Sequence, residues 1–167
     1  MKLWTWKEEN LPSVAHAVRT AIAATLSVLF ARLVGMPEAY WAVIATLVVM
    51  QSPLSSTVPL AVQRIVASAL GASLGAIESA YFGANLVAFA LTIFVLGLIS
   101  IAFRLERVGY SYAGMTLAII VLIPRPEAPW IAAAHRFAEV SLGILVALAV
   151  VAVWRGEKRL LEGTAAD

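Results

Sequence analysis

The 167-residue sequence has no cysteine and few charged side chains. Without cysteine the chain has no disulfide, no thiolate metal site and no cysteine nucleophile. Charged residues make up 13% of the chain and hydrophobic residues 62%, whereas soluble domains have about 25% charged residues. So few charges do not cover a globule of this size with a water-facing surface. The composition therefore excludes an ordinary soluble enzyme and indicates a protein whose main solvent is a lipid bilayer.

Nucleic-acid binding and catalysis also lack their usual sequence signals. The net charge of +2 is too small and too dispersed for the basic patch that binds nucleic acid. The sequence has no GxSxG, P-loop, GxGxxG or HExxH motif, so we expect no enzyme activity, no cofactor and no metal ion. Residues 1–13 lack the apolar core and cleavage site of a signal peptide.

Six apolar segments are candidate membrane-spanning helices. The second and fifth are short and end close to Pro53 and Pro124, whereas the other four approach the roughly 20 residues that cross a bilayer. The segments are residues 14–35, 40–51, 60–82, 84–103, 110–123 and 130–154. The predicted fold is therefore an all-α integral membrane protein of six transmembrane helices. It would consist of an N-terminal segment (1–13), a membrane domain (14–154) and a charged tail (155–167).

The positions of lysine and arginine predict the orientation, because basic residues that flank spans stay on the cytoplasmic side. With the N-terminus inside, only Arg32, Arg125 and Arg136 of the 12 basic residues lie on the outer side. Both termini are therefore predicted to be cytoplasmic.

The two halves of the chain resemble each other. Arg64, Leu70 and Gly71 recur 72 positions later as Arg136, Leu142 and Gly143, and the same shift places Tyr40 over Tyr112. Each half then contains a long span, a short span and a long span. Because three crossings reverse the direction of the chain, we predict two inverted three-helix repeats, a pattern found in transporters. Similar composition alone is the competing explanation.

Ionisable residues within spans are the main candidates for a site, since a charge at a helix centre costs at least about 2.5 kcal/mol. Arg64 and Glu78 share one stripe of the third span, and Arg136 and Glu139 share one of the sixth, where they can form an intrahelical ion pair. Gly71 and Gly75 on the first of these stripes indicate close helix packing. For Arg64, snorkelling to the interface is the alternative.

The first span adds His16, which can carry a proton near neutral pH, and Arg19, which can also snorkel. Most aromatic residues lie at span ends, as in an interfacial belt. Tyr40 and Trp41 instead open the short second span, which Gln51 closes, and are candidates to line a cavity that binds an aromatic substrate.

Three stretches carry a resemblance to a known family. The sequence from His16 through RTAIA, the run YWAVIATLVVMQ from Tyr40 to Gln51, and Arg64 followed by Gly71 and Gly75 are similar to the fusaric acid resistance and aromatic acid exporter family. The resemblance extends over about residues 14–154. It implies a bacterial inner-membrane efflux protein for aromatic carboxylic acids, driven by the proton gradient. Longer members carry two such six-span blocks, so a single block implies a homodimer.

The sequence thus predicts a proton-coupled exporter of organic carboxylate anions. Arginine binds carboxylates through two parallel hydrogen bonds, so Arg19, Arg64 and Arg136 are the predicted anion ligands, and Tyr40, Trp41 and Gln51 complete the substrate site. Glu139, Glu78 and His16 are the candidates for proton coupling. An anion channel with arginine-based selectivity and a membrane scaffold subunit that transports nothing remain as alternatives.

Overall fold

The structure is a computed structural model that describes residues 14–51 and 57–164. The predicted N-terminal segment 1–13, most of the loop between the second and third spans, and the last three residues lie outside this part. The described chain consists of α-helices joined by short loops, without strands, as predicted. Its six helices are α1 (Val14–Leu33), α2 (Tyr40–Met50), α3 (Thr57–Tyr81), α4 (Leu86–Ala102), α5 (Arg107–Leu122) and α6 (Pro129–Thr164).

Local sequence explains several helix ends. Gly35 follows α1 with a φ of +74°, and the N–H of Met36 bonds back to the carbonyl of Ala31. This left-handed C-terminal turn suits glycine because glycine lacks a Cβ. At the start of α4, the side chain of Asn85 accepts hydrogen bonds from the N–H groups of Val87 and Ala88, so it caps the helix.

Three helices are long and apolar enough to cross a membrane, namely α1, the part of α3 from Val58 and the part of α6 up to Trp154. α2 and α5 are short, as predicted. α4 has 17 residues and is shorter than the predicted span 84–103, because Asn85 caps its start and Arg104 leaves the helical region with a φ of 53°. α6 continues past Trp154, so the predicted tail begins within a helix.

The two repeats exchange their short helices. α2 packs mainly on α6, and α5 packs mainly on α3, so each short helix lies against the long third helix of the other repeat. The first helices of the two repeats also have equivalent neighbours, since α1 contacts α2 and α6 and α4 contacts α5 and α3. The contacts are therefore symmetric under exchange of the two repeats.

Small residues make these crossed contacts close. A Cβ on Gly71 would overlap the backbone carbonyl of Ala113, and a Cβ on Gly143 would overlap that of Ala42. One turn later, Gly75 approaches Leu117. Because the contacts advance in the same direction along both helices, from Gly71 with Ala113 to Gly75 with Leu117, α3 and α5 are parallel. The close packing predicted for the glycines is confirmed.

The outer surface of the bundle is apolar. α4 exposes large side chains along most of its length, including Leu91, Phe94 and Leu98, and buries only Leu96 and Ser100. Such a surface is suited to lipid. The buried polar side chains that the structure describes face the interior, and half of them lie on α3 and α6.

Candidate functional site

Two buried arginines each lie flat against an aromatic ring. The guanidinium carbon of Arg136 is 3.3 Å from the ring centroid of Trp41, and that of Arg64 is 3.7 Å from the centroid of Tyr112. We call these pairs the Arg136 stack and the Arg64 stack. In both, the arginine comes from the long third helix of one repeat and the ring from the short helix of the other. Both arginines are buried, so for Arg64 the snorkelling alternative is wrong.

The stacks correct the predicted register of the repeat. Arg64 and Arg136 correspond at a shift of 72 positions, as predicted. The aromatic partner equivalent to Tyr112 is, however, Trp41 and not Tyr40, and Ala42 and Ala113 also correspond at 71. The predicted match of Tyr40 with Tyr112 is therefore wrong by one residue, because the stretch from Tyr112 to Arg136 is one residue longer than that from Trp41 to Arg64.

Both guanidinium groups have N–H donors that make no hydrogen bond within the described structure. Nε and Nη1 of Arg64 and of Arg136 are buried, and neither atom has a hydrogen-bond partner among the described residues. A buried donor without a partner costs about 1–3 kcal/mol, and more when the group is charged. Because a guanidinium stacked on a ring keeps its N–H groups in its own plane, these donors point outward from the edge of each stack.

A polar cluster surrounds the Arg136 stack. Glu38, in the loop between α1 and α2, accepts hydrogen bonds at Oε2 from Trp41 Nε1 at 3.0 Å and from Arg125 Nη2 at 2.8 Å. Its backbone N–H donates to Oε1 of Glu139 at 2.9 Å. Thus Glu38 connects the indole ring, the loop between α5 and α6, and the carboxyl group one turn along α6 from Arg136.

The ion pair predicted between Arg136 and Glu139 does not form. No Arg136 nitrogen lies within ion-pair distance of Glu139 in the described structure. The guanidinium stacks on Trp41, and Glu139 is turned toward the backbone of Glu38. Tertiary partners from α2 and the preceding loop replace the local i,i+3 pair.

The Arg64 stack has no such cluster. Within the described part of the chain, no carboxylate lies within ion-pair distance of Arg64. The positions equivalent to Glu139 and Glu38 are occupied by Ala67 and Gly109. The two stacks therefore share their geometry and differ in charge.

The structure brings together only some of the predicted site residues. Trp41, Arg136 and Glu139 form one site, and Tyr40 borders it with its ring centroid 5.2 Å from that of Trp41. Gln51 is exposed at the far end of α2, about 15 Å from Trp41 at helical rise.

Three further candidates lie elsewhere in the described structure. Glu78 is buried on α3, where its carboxyl group faces the side chain of Thr92 on α4. It is about 21 Å from Arg64 at helical rise. In α1, Arg19 is buried and a hydrogen bond of 3.1 Å joins its Nη2 to Nδ1 of His16.

The sequence prediction missed Glu38, Arg125 and Tyr112. Glu38 and Arg125 lie in loops, where charges are ordinary, and they meet across 87 positions. The sequence holds a weak signal for Glu38, which precedes Trp41 by three residues. At this spacing the two side chains can contact each other across the first turn of α2.

Apolar helices with guanidinium groups buried inside the bundle define a helical integral membrane protein. The chain belongs to the fusaric acid resistance protein-like family, whose sequence model matches residues 24–150. It is 33% identical over 150 residues to the inner membrane protein YeeA of Escherichia coli (strain K12). That match covers 84% of this chain and 41% of YeeA, so the chain spans less than half the length of this relative. No solved structure matches the chain.

Proposed function

We propose that this protein exports aromatic or related organic carboxylate anions across the bacterial inner membrane in a proton-coupled reaction. The observation that carries the proposal is the repeated arginine stack, in which a buried guanidinium with unpaired N–H donors lies on an aromatic ring. Such a group offers charge and hydrogen bonds to a carboxylate, and the adjacent ring offers an apolar surface to an aromatic substrate. Family membership supports a transport role.

The proposed roles follow the chemistry of each group. Arg64 and Arg136 bind the carboxylate, and Arg19 attracts it near the start of α1. Trp41, flanked by Tyr40, contacts the aromatic part of the substrate, and Gln51 lies toward the other end of α2. Proton coupling is assigned to Glu139, with Glu78 and His16 as further candidates because one is buried in a span and the other bonds to Arg19.

We also propose that the working unit is a homodimer with both termini in the cytoplasm. Two-fold closure is the commonest symmetry of oligomers, and a dimer would place two copies of the six-helix block side by side. The inner-membrane location of YeeA supports the same membrane for this protein.

Purified protein in liposomes tests the function with benzoate as the probe. A proton-coupled transporter moves benzoate at a rate that responds to an imposed pH gradient. An anion channel would follow the membrane potential and ignore that gradient, and a scaffold subunit would move no benzoate under either condition.

Arg136→Gln tests the site in the same assay. We expect at least a tenfold loss of benzoate flux, because one charged hydrogen-bond partner of a carboxylate is worth about 1.5–3 kcal/mol. Arg32→Gln is the matched control, since Arg32 is exposed on α1 and its loss removes the same charge. Equal flux in wild type and a folded Arg136→Gln variant would remove Arg136 from the site.

A further inference from the structure

We propose that the two arginine stacks are separate anion subsites, and that only the Arg136 subsite is controlled by a proton, which Glu139 takes up when the anion binds. The inference rests on the proposed transport of organic carboxylates. It assigns the proton coupling to one of the two structurally equivalent arginine stacks. It also predicts that the proton and the anion promote each other's binding there.

The first step is the difference in charge between the stacks. The cluster at Arg136 contains two guanidinium groups, Arg136 and Arg125, and two carboxyl groups, Glu38 and Glu139. These four groups sum to zero charge when both carboxyls are ionised. Glu127 and His135, which pair with each other, flank them, with Glu127 Oε1 3.8 Å from Arg125 Nη1. The Arg64 stack retains one positive charge, because Ala67 and Gly109 occupy the positions of the two acids and no described carboxylate pairs with Arg64.

The second step concerns which carboxyl group of the cluster accepts a proton. Oε2 of Glu38 already receives two hydrogen bonds, one of them from the guanidinium of Arg125, and such charge-assisted bonds are among the stronger ones. Glu139 receives a single backbone N–H at Oε1, and its Oε2 is buried without a partner among the described residues. Oε2 of Glu139 is therefore the position at which a proton binds.

The groups that face Glu139 come from each element packed around it. They are Glu38 from the loop between α1 and α2, Arg125 from the loop between α5 and α6, and Arg136 on α6 itself. Tyr40 begins α2 beside the same cluster. The charged side chains of α3 that the structure describes, Arg64 and Glu78, make no ion pair or hydrogen bond with Glu139.

The third step is the linkage between proton and anion. A proton on Glu139 changes the net charge of the cluster from zero to one positive charge, which is the charge of the Arg64 stack. One unit charge at this range in a partly buried site changes anion affinity by about tenfold or more. Since linkage is reciprocal, a bound anion also promotes proton uptake. Proton and anion thus bind together at Arg136, whereas Arg64 binds the anion without regard to pH. A proton and an anion that cross together are driven outward by the anion's own concentration gradient, and an inward proton gradient opposes this movement.

Anion binding to the protein in lipid nanodiscs tests this assignment. The probe is radiolabelled benzenesulfonate, because a sulfonate stays ionised between about pH 5 and pH 8. Wild type is expected to bind two anions at the acid end of this range and to retain only the Arg64 subsite at the alkaline end. Affinity at the Arg136 subsite should fall at least about tenfold between the two ends.

Four variants assign the pH dependence. Glu139→Gln keeps an acceptor for the Glu38 N–H but cannot ionise, so it should bind two anions throughout the range. Arg136→Gln should retain one subsite that is independent of pH, and Arg64→Gln should retain one with the wild-type pH dependence. Glu106→Gln is the control, since Glu106 is exposed next to α5 and its side chain makes no capping bond. It should leave the wild-type profile unchanged.

Wild-type pH dependence that persists in Glu139→Gln or in Arg136→Gln would overturn the inference. If Glu139→Gln does not fold, calorimetry on wild type in two buffers of different ionisation enthalpy replaces it, with proton uptake on binding expected and its absence contradictory. Benzoate flux combined with binding that ignores pH would overturn this inference alone. The expected binding pattern without benzoate flux would overturn the transport function and leave the two subsites in place.

Discussion

Trp41 is the residue that joins the two chemistries of the Arg136 stack. Its ring face carries the guanidinium, and its Nε1–H bonds to Glu38. A cation on a tryptophan face gains about 0.5–2 kcal/mol, and more as water is excluded. The hydrogen bond fixes the ring plane, so Trp41 sets the direction in which the donors of Arg136 point.

Replacement of Trp41 tests this at the residue level. Trp41→Leu removes the ring and should weaken benzoate binding about tenfold. Trp41→Phe keeps a ring without the Nε1–H, so its benzoate affinity should lie between those of wild type and Trp41→Leu. Trp130→Leu is the control, because Trp130 is exposed on α6. Benzoate affinity measured in nanodiscs at one pH provides the comparison. A folded Trp41→Leu protein with wild-type affinity would exclude Trp41 from the substrate site.

The sequence identifies some of these residues and not others for a physical reason. Charges inside apolar spans are costly, so Arg64, Arg136 and Glu139 stand out from composition alone. Charges in loops have no such cost, and the bond between Glu38 and Arg125 depends on the folding of two loops onto each other. Local spacing also favours the pair of Arg136 with Glu139, which tertiary packing on Trp41 replaces.

At the level of helices, three glycines, Gly71, Gly75 and Gly143, determine how closely the elements approach. Gly71 and Gly143 each face a carbonyl of the opposite repeat so closely that a Cβ does not fit. A Cβ on Gly75 would have slightly more space, with Ile120 Cβ at 3.2 Å and Leu117 Cα at 3.3 Å, whereas a Cβ on Gly97 would meet its nearest neighbour, a ring atom of Tyr110, at 3.7 Å. Close helix packing, and not backbone flexibility, therefore explains the glycines at positions 71, 75 and 143.

Alanine substitutions should therefore have graded effects. Gly71→Ala and Gly143→Ala should each destabilise the protein by about 1–3 kcal/mol through overpacking, and Gly75→Ala by less. Gly97→Ala, the matched control in a helix, should be neutral or stabilising, because alanine favours helix by about 1 kcal/mol over glycine. Thermal unfolding in detergent measures the series. Equal stability of Gly71→Ala and Gly97→Ala would contradict the close approach of α3 and α5.

Helix ends are predictable where one residue type controls them. Gly35 and Pro37 mark the end of α1, and the sequence prediction placed it correctly to within two residues. The end of α4 is different, since Arg104 takes the left-handed conformation usually occupied by glycine. The arginine side chain gives no indication of this conformation, but the predicted end at Phe103 still lies within one residue of the observed end at Ala102.

For the whole molecule, the exchange of short helices between repeats could not be read from the sequence. The helix α2 is apolar over almost its whole surface, so no apolar stripe indicates which neighbour it meets. The internal echo predicts that the halves are related, and the glycines predict close contacts. Which helix fills each contact depends on the complete bundle, in which Gly143 meets α2 and Gly71 meets α5.

The path of the chain through the bilayer can be tested with single cysteines, because the sequence has none of its own. If all six helices cross, the loops after α1, α3 and α5 lie on one side of the membrane and the loop after α4 lies on the other. With cytoplasmic termini, Val34→Cys, Ala84→Cys and Pro126→Cys should react with a membrane-impermeant maleimide in intact spheroplasts. Phe103→Cys should react only after lysis, and all four native residues are exposed. The reverse pattern would place the termini and the Arg136 stack on opposite sides from those proposed. Different reactivity among the first three positions would mean that a short helix does not cross, and would remove the symmetry on which the two subsites depend.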